Sequence, residues 1–146
     1  MDILGIGVDV VDVARMQRAL SRHQTFAARV FTEEEVAYCT RGGTQAECYA
    51  GRFAAREAVI KALGGLRGAK WKDISVARAP TGAPSIVLAG AAEARASMLG
   101  IERLLISFTH DTSTSAWTRS WPGPATASSS GSSARISESS GPGRRR

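Results

Sequence analysis

Asp9 stands within the apolar stretch ILGIGVDVV at residues 3–11, where an ionised carboxylate is costly unless a cation or several donors meet it. A positive group beside it is therefore expected; the alternative is a turn or cap contact. Glu57 lies four residues after Phe53 and four before Lys61, so on a helix all three line one stripe and the carboxylate and amine point toward one neighbour. A strand carboxylate plus a helix carboxylate can hold Mg2+, which takes one or two protein oxygens and leaves its other positions to water and substrate phosphates. Lys61 would then act as a point charge toward a phosphate oxygen. The same spacing also admits an ordinary Glu57–Lys61 surface pair worth about 0.3–0.5 kcal/mol. His110, with Asp111 beside it, ends an apolar run, a common place for a catalytic side chain and equally for a plainly hydrogen-bonded histidine. Arg15, Arg18 and Arg22 recur at spacings of three and four, giving a basic helix face that either docks an acidic protein helix or is simply solvated.

Other chemistries are excluded or weakened. GIGVD does not make a dinucleotide fingerprint, because Val10 occupies the third glycine position, and no P-loop Gly-Lys-Ser or Gly-Lys-Thr occurs. Cys39 and Cys48 are the only cysteines, with eight residues between them and no second Cys pair or nearby His to complete a zinc spacing. Free thiols are expected. The net charge of +6 and pI near 10.1 suggest nucleic acid, yet residues 1–118 hold 14 Lys and Arg against 12 Asp and Glu. The excess sits in residues 119–146, so neither a nucleic-acid nor a membrane partner is expected. The first eleven residues carry Asp2 and Asp9, have no basic leader and are too short for a membrane span, which predicts a cytoplasmic protein.

The elements that must position these residues follow from period and punctuation. In residues 3–11, Ile6, Val8 and Val10 share one face of an extended segment while Gly5, Gly7, Asp9 and Val11 share the other, predicting an opening strand. Residues 12–22 change to a helical period through Val13, Met16, Ala19 and Leu20. Thr32 with Glu35 has the form of a capping box, predicting a short helix to about Cys39. Residues 46–63 contain no Pro and an apolar stripe through Tyr49, Phe53, Ile60 and Leu63, stopped by Gly64 and Gly65, which predicts a long helix. Residues 74–78 and 85–88 read as a hairpin turned through Pro80, Thr81 and Gly82, 91–99 as a helix stopped by Gly100, and 101–108 as a buried strand. Beyond Ser120 the composition is Ser, Gly, Pro and Arg, which cannot bury enough surface to offset ordering. One α+β domain over residues 1–118 and a disordered tail over 119–146 are predicted.

Three segments, GIGVDVV at 5–11, FAAREAVIKALG at 53–64 and SFTH at 107–110, resemble the holo-acyl-carrier-protein synthases in order and separation. FTEEE at 31–35, AGRFAAREA at 50–58 and TGAPSIVLAG at 81–90 extend the likeness over nearly all of residues 3–110. The resemblance implies the 4′-phosphopantetheinyl transferase fold, a compact antiparallel sheet against a long central helix. It implies transfer of phosphopantetheine from coenzyme A to a serine of an apo acyl carrier protein, usually for fatty-acid synthesis. By position it implies Mg2+ on Asp9 and Glu57, with Lys61 near the phosphates. Arg52, at the nucleotide end of coenzyme A, Arg56, where most members have Lys, and Gly64 fall among its coenzyme A residues. His110 is implied as general base or phosphate ligand, Arg15 and Arg22 as the carrier-protein face, and a homotrimer with sites between subunits as the assembly. One departure concerns the end of the domain: the family closes with an alternating apolar strand, whereas STSAWTRSWPGP breaks that alternation. A non-catalytic protein binding coenzyme A or a carrier protein on the same scaffold is the competing reading.

Overall fold

The computed structural model describes residues 2–42, 44–110 and 114–118; the expected tail lies outside the described residues. The long helix forecast from its Ala-rich, Pro-free composition is α4, Gln45–Ala62. Its end is set by chemistry in the sequence. Gly64, at φ +74°, takes the left-handed conformation, its N–H donating to Lys61 O at 3.1 Å while the Gly65 N–H donates to Ile60 O at 2.8 Å. α4 is the spine of the molecule. Tyr49 and Ala50 belong to one core with Met16, Phe31 and Cys39, whereas Val59 joins a second with Leu63, Ile74, Ala92 and Ala96.

The first core is built by three helices before α4. In α1, Val13–Arg22, the Asp12 carboxylate caps the helix by accepting from the Arg15 N–H at 2.8 Å. α2 is the short turn Phe26–Val30, and α3 is Glu33–Thr40. The capping box of α3 is formed as its spacing predicts: Thr32 Oγ1 accepts from the Glu35 N–H, and the Thr32 N–H donates to Glu35.

Two antiparallel sheets complete the fold. β1 (Val11–Asp12), β4 (Ile106–His110) and β5 (Thr114–Thr118) form one sheet in the order β1-β5-β4. β2 (Ile74–Arg78) and β3 (Pro84–Leu88) form the predicted hairpin, and α5, Gly90–Met98, follows it. A strand is therefore present over Thr114–Thr118 even though the sequence there breaks the expected alternation. Of the predicted strand 101–108, only the part from Ile106 is paired; Ile101 and Leu104 instead pack on the second core.

Two expectations are corrected. Residues 3–10 are not assigned as a strand: among the described residues, sheet pairing begins at Val11, whose register partner is Ser115. Cys39 and Cys48 are not free thiols; they form a disulfide, with Cα atoms 5.5 Å apart, that ties α3 to the first turn of α4. A spacing of nine positions completes no metal site here but is spanned when two successive helices joined by a short turn pack together. Closing a loop of that length stabilises by about 2–3 kcal/mol.

Glu35 is a buried carboxylate, only 2% exposed. Besides its capping bond, it accepts from Arg56 Nη2 at 2.6 Å and from the Val76 N–H at 2.9 Å. Arg56, fully buried, also donates from Nε to Ile74 O at 2.5 Å. One ion pair thus joins α3, α4 and β2. Burial lowers the Arg56 pKa and the Glu35 carboxylate opposes that shift. Replacing Glu35 by Gln leaves the guanidinium buried without its counter-charge, so E35Q should lose about 3–5 kcal/mol of stability in urea unfolding.

Candidate active site

The N-terminal segment lies directly on the backbone of α4. A Cβ at Gly7 would come within 1.7 Å of Ala58 O, and one at Gly5 within 2.6 Å of Ala62 O. Glycine at both positions, facing alanines one helical turn apart, is what permits this approach. Because residues alternate along an extended chain, Asp9 continues the face of Gly5 and Gly7 and arrives beside the last turns of α4. There Lys61 Nζ donates to Asp9 Oδ1 at 2.5 Å and to Val8 O at 3.0 Å. The positive group expected beside Asp9 is Lys61.

This pair sits at the surface. The Lys61 side chain is 51% exposed and that of Asp9 17%, so it is weak as a structural tie and open to exchange with a charged ligand. Glu57, half-buried one turn before Lys61, makes no salt bridge among the described residues. The ordinary Glu57–Lys61 surface pair is thus not formed: the lysine turns to Asp9, and the glutamate keeps its carboxylate uncommitted.

The sheet brings the fourth residue toward this corner. Ser115 is the register partner of both Val11 and His110, so β5 separates the two strand ends that follow Asp9 and carry His110. The His110 side chain lies outside the described residues. Farther along α4, Arg52 is 8% exposed, with Nη1 donating to Cys48 Sγ at 3.0 Å and, at 3.4 Å, to Cys48 O. Its guanidinium carbon is 4.3 Å from the centroid of the Tyr38 ring, and its buried Nε has no hydrogen-bond partner among the described residues. Burial lowers the Arg52 pKa, and the charge of Glu35 partly offsets this. Arg15, Arg18 and Arg22 are all exposed on α1, with no salt bridge among the described residues.

The 4′-phosphopantetheinyl transferase superfamily profile matches residues 5–118. The holo-[acyl-carrier-protein] synthase of Anaeromyxobacter dehalogenans strain 2CP-C is 49% identical over 113 residues, 75% of this chain and 88% of that protein. That of Clostridium kluyveri is 41% identical over 109 residues, 74% of this chain and 81% of the relative. The chain belongs to the 4′-phosphopantetheinyl transferase superfamily. Among solved structures, the holo-[acyl-carrier-protein] synthase from Neisseria meningitidis superposes with a TM-score of 0.73 at 33% identity, covering 81% of this chain and 98% of that one. The Helicobacter pylori enzyme, solved in complex with coenzyme A, gives a TM-score of 0.63 at 28% identity, covering 79% and 99%.

For a transferase of this superfamily, the residues that could hold Mg2+ are Asp9, bonded to Lys61, and Glu57, one helical turn before that lysine and in no salt bridge among the described residues. No group of three or more His, Cys, Asp or Glu gathers as a metal cage among the described residues. Gly64 follows Lys61 at the α4 terminus. Arg56 departs from the position expected of a coenzyme A residue: its side chain is inside the protein, bonded to Glu35 and Ile74 O. The planar fork makes both bonds at once, which a lysine ammonium cannot reproduce in that geometry.

The residues missed by sequence reasoning are Glu35 and Tyr38. The capping box gave Glu35 a sufficient local role, and nothing in its spacing marked a second, long-range one. Because a Cβ at Gly7 would overlap the Ala58 carbonyl, G7A should push the segment off α4 and separate Asp9 from Lys61. Phosphopantetheine transfer should fall about a hundredfold or more, the scale of losing one preorganised charge-stabilising group, while far-ultraviolet circular dichroism retains the helical spectrum of α4.

Proposed function

We propose that this chain is a Mg2+-dependent holo-[acyl-carrier-protein] synthase, moving 4′-phosphopantetheine from coenzyme A to a serine of an apo acyl carrier protein. The observation that carries the reading is the meeting of Asp9 and Lys61, one helical turn from a Glu57 that makes no salt bridge among the described residues, in a chain of this superfamily. Asp9 and Glu57 would hold the metal, which supplies charge neutralisation on the pyrophosphate when bound. Lys61, released from Asp9, is placed to accept a phosphate oxygen as its partner. The serine oxygen attacks the β-phosphorus, the bond to the bridging oxygen breaks, and adenosine 3′,5′-bisphosphate leaves with that oxygen. His110 is assigned the serine proton, since an imidazole titrates near neutrality. Arg52 is assigned to the nucleotide end of coenzyme A, with Gly64 nearby on the family pattern. Arg56 acts one step back, by fixing α4 against α3 and β2.

The carrier protein is assigned to the exposed basic face of α1 through Arg15 and Arg22. The presence of β5 favours this catalytic reading over a scaffold that binds without turnover. Ile6, Val8 and Val10 are 59%, 53% and 62% exposed, and Ile3 and Leu4 are exposed beside them. This apolar strip supports self-association, for which the homotrimer is the assigned form. Residues 1–118 are assigned as the catalytic domain and 119–146 as a dispensable tail, and the setting as cytoplasmic fatty-acid synthesis. No helix of the described residues is long and apolar enough to cross a membrane.

The direct test is incubation with coenzyme A, Mg2+ and apo carrier protein, reading the carrier by intact mass with a chelator control. A metal-dependent gain of one phosphopantetheine is expected. D9N and E57Q should each lower the rate about a hundredfold or more with unchanged unfolding transitions; either variant turning over at the wild-type rate would sink the metal assignment.

The basic face makes a separate prediction. Arg15→Glu should raise KM for the carrier protein and flatten the salt dependence of the reaction. An unaltered KM would mean that the face is merely solvated.

A further inference from the structure

Disulfides are uncommon in reducing compartments, and those found there are usually transient and redox-sensing. The Cys39–Cys48 pair joins α3 to α4 at the foot of Arg52, whose Nη1 donates to Cys48 Sγ at 3.0 Å. The two cysteines differ in access: Cys39 is 1% exposed, whereas Cys48 is half-buried. Tyr38, which carries the Arg52 guanidinium on its ring, immediately precedes Cys39. The bond therefore touches both sides of the arginine's seat, through its hydrogen bond and through the helix that bears its ring partner.

We infer that Cys39 and Cys48 are a thiol–disulfide modification site that sets the availability of Arg52, and with it the affinity for the nucleotide end of coenzyme A. This rests on the assignment of Arg52 under the proposed function. A disulfide sulfur is a weak acceptor, and Arg52 can leave it for a phosphate. After reduction, the adjacent guanidinium favours the thiolate form of Cys48, and a charge-assisted bond to that sulfur holds the arginine back. The oxidised protein is the tight-binding form and the reduced protein the weak one.

The chemistry balances with a low-molecular-weight disulfide as oxidant. The Cys48 thiolate attacks one sulfur of that disulfide, forming a mixed disulfide and releasing one thiolate. The Cys39 thiol, giving up its proton to water, attacks Cys48 Sγ and releases the second. Two protein thiols are oxidised, and one small disulfide is reduced to two thiols. Cys48, the more accessible and beside the cation, is the attacking residue; buried Cys39 resolves.

The probe is adenosine 3′,5′-bisphosphate, which has no thiol to reduce the protein, titrated by calorimetry into the full chain with its redox state fixed by free-thiol assay. Reduction should weaken binding about tenfold, the scale of one charge-assisted hydrogen bond. Cys39→Ser, which leaves the Cys48 thiolate, should bind like the reduced protein under all conditions. Cys48→Ala, which removes both disulfide and thiolate, should bind like the oxidised protein. If both variants weaken binding equally, the disulfide is only a staple and the proposal falls. Equal affinity of the oxidised and reduced wild-type protein also overturns it, while intact-mass turnover in the same samples leaves the synthase reading standing. No binding in either state removes the inference together with the coenzyme A assignment.

Discussion

The site depends on how closely the N-terminal segment lies on α4. Any side chain larger than hydrogen at Gly7 would overlap the Ala58 carbonyl, and Gly5 meets Ala62 O in the same way. The helix answers with its own small residues: Ala50, Ala54, Ala55 and Ala58 are completely buried. Alanine also has the best helix propensity, so the surface that lets neighbours approach is at the same time rigid. Asp9 inherits its position from these contacts, two residues beyond Gly7 on the same face. Lys61 inherits its own from α4, one turn after Glu57. Neither side chain needs to be anchored by further bonds, because both backbones are.

Two ion pairs with opposite physical characters divide the labour. Glu35–Arg56 is wholly buried and bonded on several sides, so separating it would strand a charge in the interior. Such a pair is suited to fixing geometry. Asp9–Lys61 is solvated on the lysine side, so its partners can be exchanged at little cost. That pair is suited to receiving a ligand, since a phosphate or a metal ion replaces one partner with another of equal sign. Arg56 follows the same division: a residue that bridges Glu35 and the Ile74 carbonyl from inside uses a fork rather than a point charge.

Much of this was legible in the sequence where a local rule was also the global one. The α4 stop at Gly64 and Gly65, the α3 capping box and the hairpin turn each depend on a few neighbouring residues, and each forms within one or two residues of its forecast. Glycine, aspartate, glutamate and lysine spacing was enough to suggest a carboxylate pair and a cation, and the family resemblance placed the same residues. What the sequence could not disclose was long-range. Period two in residues 3–10 is equally satisfied by a strand and by an extended segment lying on a helix, and only the close approach of Gly5 and Gly7 to the α4 backbone shows where the segment lies. The Cys39–Cys48 bond depends on how α3 and α4 turn back on each other, which spacing does not fix. Arg56 was assigned to coenzyme A by the family resemblance, and its buried counter-ion stands 21 positions away, beyond any local spacing rule. The helix α2, Phe26–Val30, is barely more than one turn, too short for a periodicity to register.

The alternation that seats Asp9 also constrains assembly. An extended chain sends successive side chains to opposite sides, so once Gly5, Gly7 and Asp9 are committed to α4, Ile6, Val8 and Val10 must face away from it. They are exposed, and as an uninterrupted apolar strip they favour burial against another surface. A shift of one residue would reverse both sides together, placing bulky β-branched groups against the Ala58 carbonyl and the carboxylate outside. The register that builds the candidate metal corner is therefore the register that builds the proposed subunit contact. A partner pressing on the outer face would in turn hold the segment down on α4, so self-association and the position of Asp9 support each other through the same eight residues.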